Sequence, residues 1–468
     1  MADQQILVVG IPLMQFQLSS VMRKYRRIKP SKGSIHQSYQ LTLIAFGLFS
    51  LLTGFSFFIF INCQNSRFFS SLSGLFRNIT ILFAVISLVL LFISVITFFH
   101  RELVTTLEIP PMSSNAKRLS RKIKQLFNDK QLDDVLGLCN STRYGIEFPL
   151  LYVWVSDDCN YGYIAIENIA TYDRMDRDKY EQKVSGILGG KYKRFAVISS
   201  ELTSNDSYML FHFEDTLTSY KLIINEKEDK LSGYVSKDPH TILLSKDLVW
   251  HAEMTPHLSV IARTRAGKSV LCGRYMARLM QLQGWIVEYN SAKFDRYVKE
   301  FNGKSNTLEI VERAEYWCEV MLERLNKIND AGQEKYLDLP DLVDIGLFFD
   351  EIGNLNAALE LDKPLKKRWE VAINKLTATG GSAGIHIIAI SQFATKEAFL
   401  PSLARVNCSD AVIMLAGAAD SADERRFLMS GFADLPKRNY KVGQGVARII
   451  TSGKKWETPH FFEAPWFI

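Results

Sequence analysis

Two long segments without a single charged side chain constrain this protein more than any other feature. Residues 41–61 read LTLIAFGLFSLLTGFSFFIFI, and residues 79–99 read ITILFAVISLVLLFISVITFF. At about 1.5 Å per helical residue each segment reaches about 32 Å, which matches a hydrocarbon core of about 30 Å. Buried helices of a soluble core are the alternative, but uncharged stretches of this length are rare there. The sequence therefore predicts a two-helix transmembrane hairpin over residues 41–99.

The charges around these two segments predict their orientation. The 468 residues include 56 Lys and Arg and 50 Asp and Glu, a net charge of +6. Residues 1–100 hold eight of the bases and one acid, so the basic excess belongs to the membrane end. Six bases precede the first segment, and between the segments there are only Arg67 and Arg77. By the positive-inside rule, both termini are expected in the cytoplasm. A uniformly basic nucleic-acid coat is excluded.

Residues 1–40 are interpreted as a basic cytoplasmic segment. Met22 opens the run MRKYRRIKPS, a conventional start for a membrane protein, so we expect the first 21 residues to be dispensable or untranslated. The six cysteines form no C-x-x-C pair, and the histidines form no H-E-x-x-H motif. These spacings favour reduced thiols and argue against a metal site built from side chains alone.

Residues 100–250 predict an amphipathic helix and a small α+β domain. The helix is expected over residues 114–128, leaving the membrane. From about residue 147 to 249, short β-rich runs alternate with Asp, Asn and Gly turns, with one helical stretch near 176–188. This region carries no catalytic constellation, so its expected role is packing or assembly. In residues 251–468, buried apolar runs alternate with helical patterns, which predicts an α/β domain with a parallel sheet.

A phosphate-binding loop is predicted where the first of these strands ends. The run ARTRAGKS lies between an apolar strand and a helix, the context in which backbone N–H groups can hold phosphates. Lys268 would reach the β- and γ-phosphates, and the Ser269 hydroxyl would bind Mg²⁺. A coincidental basic turn is the alternative, because the usual first glycine is replaced by alanine. The predicted nucleotide contacts from this loop are Ala262, Arg263, Thr264, Arg265, Ala266, Gly267, Lys268 and Ser269.

Two further strand ends carry polar residues suited to ATP hydrolysis. The apolar strand IGLFFDE ends in Asp350, expected to bind Mg²⁺, and Glu351, expected to polarise the attacking water. The alternative is an exposed strand terminus, where acids are common. A third strand ends at Gln392, which can sense the γ-phosphate and relay hydrolysis to a neighbouring surface. His386, at the start of that strand, is interpreted as a core-edge histidine rather than a base. The order of these elements predicts a site for ATP and Mg²⁺.

From about residue 256 to 449 these motifs resemble the FtsK/SpoIIIE group of hexameric DNA-translocating ATPases. The segments that carry the resemblance are PHLSVIARTRAGKS, AEYWCEVMLERLNKIN, LFFDEIGNL, TGGSAGIHIIAISQ and GFADLPKRNYKVGQGVARI, the last resembling the closing strand pair. The resemblance implies a RecA-like P-loop NTPase fold of the FtsK/HerA type, assembled as a homo-hexamer. Arg425 lies near a family arginine and is the implied trans-acting finger. The family's D-P-K is replaced here by residues 290–293, NSAK, and an arginine by Ala411.

Two spans, a small β-rich domain and one motor resemble TcpA-like coupling proteins of conjugative elements in Gram-positive bacteria. The resemblance implies a multi-pass protein of the bacterial cell membrane, an ATPase that moves DNA towards a transfer channel and meets a relaxase and channel proteins. DNA contacts would go to the phosphate backbone rather than to bases. Residues 363–368 are one candidate for them, with a solvated helix face as the alternative. Type VII-like protein secretion, chromosome segregation and a catalytically weakened scaffold that recruits the relaxosome remain open.

Overall fold

The computed structural model describes residues 24–25, 33–65, 68–99, 107–142, 145–169, 177–204, 206–225, 231–433, 435 and 437–468. Contacts divide the chain into two units, residues 1–110 with 141–147 and residues 111–140 with 148–468. The predicted basic segment 1–40 lies mostly outside the described residues. Of the bases that flank the two apolar segments, Arg23, Arg26, Arg27, Lys29, Lys32, Arg67 and Arg101 lie outside the described residues.

The first unit contains a hairpin of two long apolar helices. They are α1 (Gly33–Asn65) and α2 (Ser73–Phe99), with a 3₁₀ turn at Ser70–Leu72 between them. Ser50 and Ser87 join the helices through hydroxyl groups 2.8 Å apart. Among the described residues, these two helices are long and apolar enough to cross a membrane. Most of their large apolar side chains are exposed, as expected for helices in lipid rather than in a protein core. The second helix begins before the predicted span, so Arg77 lies in a helix and not in a loop.

Short strands complete the first unit. They are β1 (Lys24–Tyr25), β2 (Asn140–Thr142) and β3 (Gly145–Glu147). Strand β1 pairs in parallel with β3.

In the second unit, the predicted amphipathic helix covers a β-sheet. Helix α3 (Ser114–Lys124) starts at Ser113, whose hydroxyl oxygen accepts a hydrogen bond from the N–H of Ala116 at 3.3 Å. Ser120 is buried and donates to the carbonyl oxygen of Val153 at 2.7 Å. The apolar side of this helix is therefore occupied by the sheet. A π-helical turn follows at Gln131–Val135.

The region predicted as a small α+β domain forms a four-stranded antiparallel sheet with one helix. Its strands are β4 (Leu151–Val155), β5 (Tyr161–Glu167), β6 (Phe195–Leu202) and β7 (Tyr208–Asp215), in the spatial order β4-β5-β7-β6. In β4, alternate residues are buried, the period-two pattern of a strand with one covered face. Helix α4 (Arg177–Lys191) contacts β6 through a 2.5 Å hydrogen bond from Ser200 to Glu181.

The α/β domain predicted for residues 251–468 contains a seven-stranded sheet. After the short strand β8 (Ile223–Ile224) and a hairpin of β9 (Thr241–Ser245) and β10 (Leu248–His251), the sheet strands are β11 (Leu258–Ala262), β12 (Ile286–Ser291), β13 (Ile345–Asp350), β14 (Ile385–Ser391), β15 (Ala411–Leu415), β16 (Gln444–Ile449) and β17 (His460–Glu463). Their order is β12-β13-β14-β11-β15-β16-β17. The first five strands are parallel, and the last two join the sheet antiparallel.

Helices cover both faces of this sheet, which explains the continuous apolar strands. Every residue of β11, β13, β14 and β15 is buried. Alternate residues face different cores: Val260 packs in one cluster and Ile261 in the other. The helices are the π-helical Val270–Ala277, α5 (Arg278–Leu282), α6 (Arg296–Glu300), α7 (Thr307–Asp330), α8 (Ile352–Leu359), α9 (Lys363–Thr379), α10 (Ser402–Asn407) and α11 (Ala422–Leu428).

The closing strand pair differs from the expected segment. Among the described residues of 431–449 only β16 is a strand, and its antiparallel partner β17 follows further along the chain. A last strand, β18 (Trp466–Phe467), pairs in parallel with β8. Single 3₁₀ turns lie at Leu231–Tyr234, Tyr336–Asp338, Gly380–Ala383, Ala416–Ala418 and Lys454–Glu457.

Candidate nucleotide-binding site

The strand order brings three predicted motifs to one edge of the sheet. Strand β14 lies between β11 and β13, and all three are parallel, so their carboxyl ends share that edge. The loop 263–269 follows β11, Gln392 follows β14, and Asp350 with Glu351 ends β13. Ligands of open α/β sheets bind at this edge. The polar residue after β14 is therefore placed between the loop and the two acids.

The loop after β11 turns back tightly and then enters a helix. The N–H of Ala266 donates to the carbonyl oxygen of Arg263 at 3.1 Å. Arg265 has φ 64° and Gly267 has φ 109°, both in the left-handed region. Glycine adopts this region freely, whereas arginine does so at a cost. The side chain of Lys268 is buried, and Ser269 is exposed at the beginning of the helix.

A second contact holds the loop from the far side. The N–H of Gly443 donates to the carbonyl oxygen of Ala266 at 3.0 Å. A Cβ atom added to Gly267 would lie 3.5 Å from the backbone of Gly443. That distance leaves room for a Cβ, so it is the positive φ of the two residues, 109° at Gly267 and 76° at Gly443, that favours glycine here.

Lys268, Glu351 and Gln392 form one connected polar network. The Lys268 ammonium lies 3.2 Å from Glu351 Oε1, and both side chains are largely buried. The Gln392 amide donates to Glu351 Oε2 at 2.9 Å. The Thr264 hydroxyl donates to Gln392 Oε1 at 3.1 Å, which connects Gln392 to the loop as well. The structure therefore brings together residues from three separate sequence motifs, and Glu351 contacts both of the others.

Glu351 stands in a strained backbone conformation. Its φ is 52°, in the left-handed region, and it is the residue that precedes helix α8. Its N–H donates to Asp350 Oδ1 at 2.7 Å. Strained non-glycine residues concentrate at functional sites, where the surrounding structure holds them in place. The strain at Glu351 turns its carboxylate from the strand end towards Lys268.

Asp350 is buried and held by a tyrosine from the neighbouring strand. The hydroxyl of Tyr289, in β12, donates to Asp350 Oδ2 at 2.8 Å. Burial raises the pKa of Asp350 to about 6, although Lys268 and the Tyr289 hydrogen bond act in the opposite direction. A cation at this carboxylate would favour its charged form.

The donor set fits Mg²⁺ held together with a nucleotide. Mg²⁺ takes oxygen ligands and usually keeps several waters beside one or two carboxylates and substrate phosphates. The Ser269 hydroxyl and the Asp350 carboxylate are oxygen donors of this kind. Across the described residues no group of three or more His, Cys, Asp or Glu side chains gathers around a common point. Phosphate and water would therefore supply the remaining ligands, and the ion would neutralise charge on the phosphates.

The position of Arg425 contradicts the expectation that it is a trans-acting finger. Its side chain is 1 % exposed, and its guanidinium lies inside its own subunit. The guanidinium donates to backbone carbonyl oxygens of Ala419, Phe432, Ala433 and Leu435, with Ala433 at 2.9 Å from Nε. All sides of the fork are thus engaged in holding two loops together. A group in this state has no reach towards a nucleotide of a neighbouring subunit.

His386 lies in the core, far from the phosphate loop. It is fully buried and its Nε2 contacts Asp344 Oδ1 at 2.8 Å, while Nδ1 lies 3.0 Å from the Pro256 carbonyl oxygen. It begins the strand that Gln392 follows, so about six residues of extended chain, roughly 20 Å, separate the two side chains. Its interpretation as a core histidine fits these contacts.

The basic stretch 363–368 is tied to acids on its own surface. Arg368 forms a bidentate pair with Glu315, at 2.9 and 2.7 Å, and Lys366 pairs with Glu360. These contacts agree with a solvated helix face.

Sequence reasoning missed Tyr289 as a site residue. It lies two residues before the end of β12, the strand next to β13, and its side chain points to the same side as Phe348. The signal available in the sequence was the apolar run WIVEY, whose last residue carries a hydroxyl. Nothing in that run says that β12 neighbours β13.

Comparison with known proteins identifies similar folds only among solved structures. No family model matches the chain. No curated protein matches it either. The conjugation coupling protein TcpA of pCW3, in a monomer form with ATPγS, shares 15 % identity at a TM-score of 0.47 and covers 74 % of this chain and 96 % of its own. A TcpA protein is thus among the solved structures to which this chain is similar.

Type VII secretion ATPases are also similar. The cytoplasmic domain of the Thermomonospora curvata ATPase EccC shares 18 % identity at a TM-score of 0.39, over 52 % of this chain and 31 % of that one. The cytoplasmic domain of EssC shares 12 % identity at a TM-score of 0.36, over 50 % of this chain and 46 % of that one. This chain therefore spans less than half the length of each of these two chains.

Proposed function

We propose that this protein is a membrane-anchored ATPase that couples ATP hydrolysis to DNA movement, as a coupling protein of conjugative transfer. The observation that carries the ATPase part is the network in which Lys268 and Gln392 both contact Glu351, beside the buried Asp350. The membrane part is supported by the two long apolar helices. The DNA part is supported by the sequence resemblance to FtsK/SpoIIIE and TcpA-like proteins.

The residues of the network have distinct roles in this proposal. Lys268 and the N–H groups at the helix start hold the β- and γ-phosphates, and Ser269 and Asp350 hold Mg²⁺. Glu351 orients the water that attacks the γ-phosphorus and accepts its proton. Gln392 reports the state of the γ-phosphate, because it contacts both Glu351 and Thr264. Catalysis of this kind depends on positioning and charge stabilisation.

Release of Glu351 from Lys268 is the event that prepares the site. In the structure the carboxylate and the ammonium neutralise each other at 3.2 Å. A triphosphate that binds Lys268 competes with Glu351 for that charge. Glu351 then keeps Gln392 as its neighbour and becomes available to water. The ion pair thus couples phosphate binding to activation of the general base.

The assembly and the cargo follow from the resemblance. We propose a homo-hexameric ring with both termini in the cytoplasm of a bacterial cell, contacting a relaxase and channel proteins. DNA contacts to phosphates would make activity strongly salt-dependent and insensitive to base sequence. The finger that completes a neighbour's site is a residue other than Arg425.

The test is the ATPase rate of the full chain in nanodiscs, with no nucleic acid, with single-stranded DNA and with double-stranded DNA. We expect Lys268→Ala to abolish nucleotide binding and Glu351→Gln to retain binding but lower kcat by about 10²-fold or more. Matched controls are Lys375→Ala and Glu319→Gln, exposed residues outside the site, which should leave the rate unchanged.

Each outcome distinguishes a specific alternative. DNA stimulation of the rate supports the coupling-protein function. A rate that is indifferent to DNA favours protein secretion of the type VII kind. No hydrolysis under any condition refutes the motor and favours a scaffold that recruits the relaxosome.

A further inference from the structure

The segment 464–468 lies beside the phosphate loop, and the role proposed above does not use it. Its sequence is APWFI, and it adds strand β18 to β8. Backbone hydrogen bonds hold it at both ends. The N–H of Ala464 donates to the Gly443 carbonyl oxygen at 2.7 Å, and the N–H of Trp466 donates to that of Leu222 at 2.8 Å. The segment is therefore a built part of the fold.

A small apolar cavity of about 150 Å³, open to solvent, lies between this segment and the phosphate loop. Its walls come from the phosphate loop and following helix, from the segment before β16, and from residues 464–467. The lining residues that matter here are Gly267, Val270, Val442, Pro465, Trp466 and Phe467. One wall is thus shared with the proposed phosphate site.

Cations hold the two aromatic rings of this cavity. The Arg274 guanidinium lies 4.2 Å from the ring centroid of Phe467, and the Lys221 ammonium lies 5.1 Å from that of Trp466. Both contacts are within the range of cation–π attraction. Trp466 as a whole residue is still 47 % exposed, so part of its surface is available to a ligand.

We propose that this cavity binds the base of the nucleotide whose phosphates occupy the loop 263–269. A nucleobase is a planar aromatic group, and stacking on aromatic side chains is a general way of binding it. The apolar lining suits its faces, and the shared Gly267 places it next to the phosphates. This inference rests on the proposed nucleotide site and adds the part of the chain that recognises the nucleoside.

A consequence is that base binding is connected to the segment that follows the small sheet. A chain of backbone hydrogen bonds runs from Ala266 through Gly443 to Ala464. The same segment then pairs with β8, which follows the four-stranded sheet in the sequence and precedes the α/β domain. A nucleotide bound through both its base and its phosphates would therefore stabilise the β8–β18 pairing, whereas a ligand with phosphates alone would not.

The experiment compares Mg²⁺–ATP with Mg²⁺–tripolyphosphate on the full chain in nanodiscs, by calorimetry. We expect Trp466→Ala to weaken ATP binding about tenfold and to leave tripolyphosphate binding unchanged. Trp466→Phe keeps a ring and should stay within threefold of the unaltered protein. Tyr316→Ala is the matched control. Tyr316 is also half-exposed, and the Arg313 guanidinium lies 4.1 Å from its ring centroid.

A second readout is hydrogen exchange at the Trp466 and Ile468 amides, which donate to β8. ATP should slow exchange there, and tripolyphosphate should not. The nucleobase proposal is overturned if Trp466→Ala leaves ATP binding unchanged, or if it weakens both ligands equally. It is also overturned if the unaltered protein binds both ligands with the same affinity. If the unaltered protein binds neither ligand, the proposed ATPase function itself fails.

Discussion

Two residues in the site adopt a backbone conformation that usually belongs to glycine. Arg265 and Glu351 have φ 64° and 52°. The left-handed region costs a residue with a Cβ about 1–2 kcal/mol, so the rest of the fold must hold these residues in place. At Glu351 this conformation orients the side chain, because the carboxylate contacts Lys268 and Gln392. The side chain of Arg265 is exposed, and its contacts in the structure show no corresponding benefit of the left-handed conformation.

We therefore predict that Arg265→Gly leaves the fold intact and raises the free energy of unfolding by up to about 1 kcal/mol. Relief of the left-handed strain exceeds the extra entropy that glycine has in the unfolded chain. Denaturant unfolding of the full chain in nanodiscs measures the change. The control is Arg263→Gly, an exposed arginine of the same loop whose φ is not positive, where glycine should destabilise by about 0.5–1 kcal/mol. Equal destabilisation by both substitutions would contradict the prediction.

Arg425 shows why a residue's neighbourhood in sequence does not establish its role. By sequence resemblance it lies near an arginine of the FtsK/SpoIIIE group, but its guanidinium donates hydrogen bonds to backbone carbonyl oxygens of two loops. An Arg425→Ala substitution would leave those buried carbonyl oxygens without donors, which costs about 1–3 kcal/mol for each unsatisfied group. Loss of activity in that variant would therefore report on folding.

At the scale of elements, His257 connects β11, α9 and β14 at the edge of the sheet opposite the phosphate loop. It directly precedes β11, its Nε2 donates to the carbonyl oxygen of Thr377 in α9 at 3.0 Å, and its Nδ1 accepts the N–H of Ile387 in β14 at 3.1 Å. Only the neutral ring can donate from one nitrogen and accept at the other. Burial, reinforced by the nearby His386, lowers the pKa of His257 to about 3.

This arrangement predicts a pH dependence of stability. A pKa that is lower in the folded state than its ordinary 6.5 contributes stability that is present above pH 6.5 and is lost as the pH falls towards 3. The loss amounts to at most about 1.4 kcal/mol per pH unit. We expect His257→Gln, which can still donate and accept, to reduce the slope of unfolding free energy between pH 6 and 4.

The matched control is His251→Gln, a half-exposed histidine that pairs with Glu253 at 3.3 Å. That substitution should leave the slope as it is in the unaltered protein. An unchanged slope in His257→Gln would show that His257 does not stay neutral in the fold. Urea unfolding at several pH values measures all three proteins.

The elements themselves were predictable because their causes are local. Buried parallel strands are continuous apolar runs, so β11, β13, β14 and β15 could be located from the sequence alone. Strand β17 and the pairing of β8 with β18 were not predicted, because short strands have little periodicity. Their partners lie far away in the sequence: β18 pairs with residues more than 200 positions earlier.

At the scale of the whole molecule, the four-stranded sheet and the α/β domain belong to one compact unit. A buried charge network joins them. Glu214 of β7 contacts the Lys455 ammonium at 2.6 Å and His460 Nδ1 at 3.2 Å, and Lys455 also contacts Asp247 at 2.6 Å. Burial alone would raise the pKa of Glu214, but His460 and Lys455 hold it below the ordinary value. The region predicted to serve packing thus contacts the α/β domain through paired charges.

We predict that Glu214→Ala destabilises the protein by about 3 kcal/mol. Removal of one partner leaves the Lys455 ammonium buried with half of its compensation, and a broken buried pair costs about 3–5 kcal/mol. Thermal or urea unfolding measures the loss. The control is Glu201→Ala in the neighbouring strand β6, where a more exposed carboxylate pairs with His212 at 3.0 Å and should contribute less than about 1 kcal/mol. Similar effects of the two substitutions would contradict the role of burial.

The sequence by itself determined the features whose physical cause is local. Charge-free segments of bilayer length, apolar strands and the run ARTRAGKS are legible residue by residue, since hydrophobic burial and loop geometry depend on neighbours in the chain. Only the tertiary structure decided which strand ends meet. The place of β14 between β11 and β13 joins Gln392 to Glu351, buries Asp350 against Tyr289, and is set by packing across more than a hundred residues. The same long-range packing brought segment 464–468 to the phosphate loop.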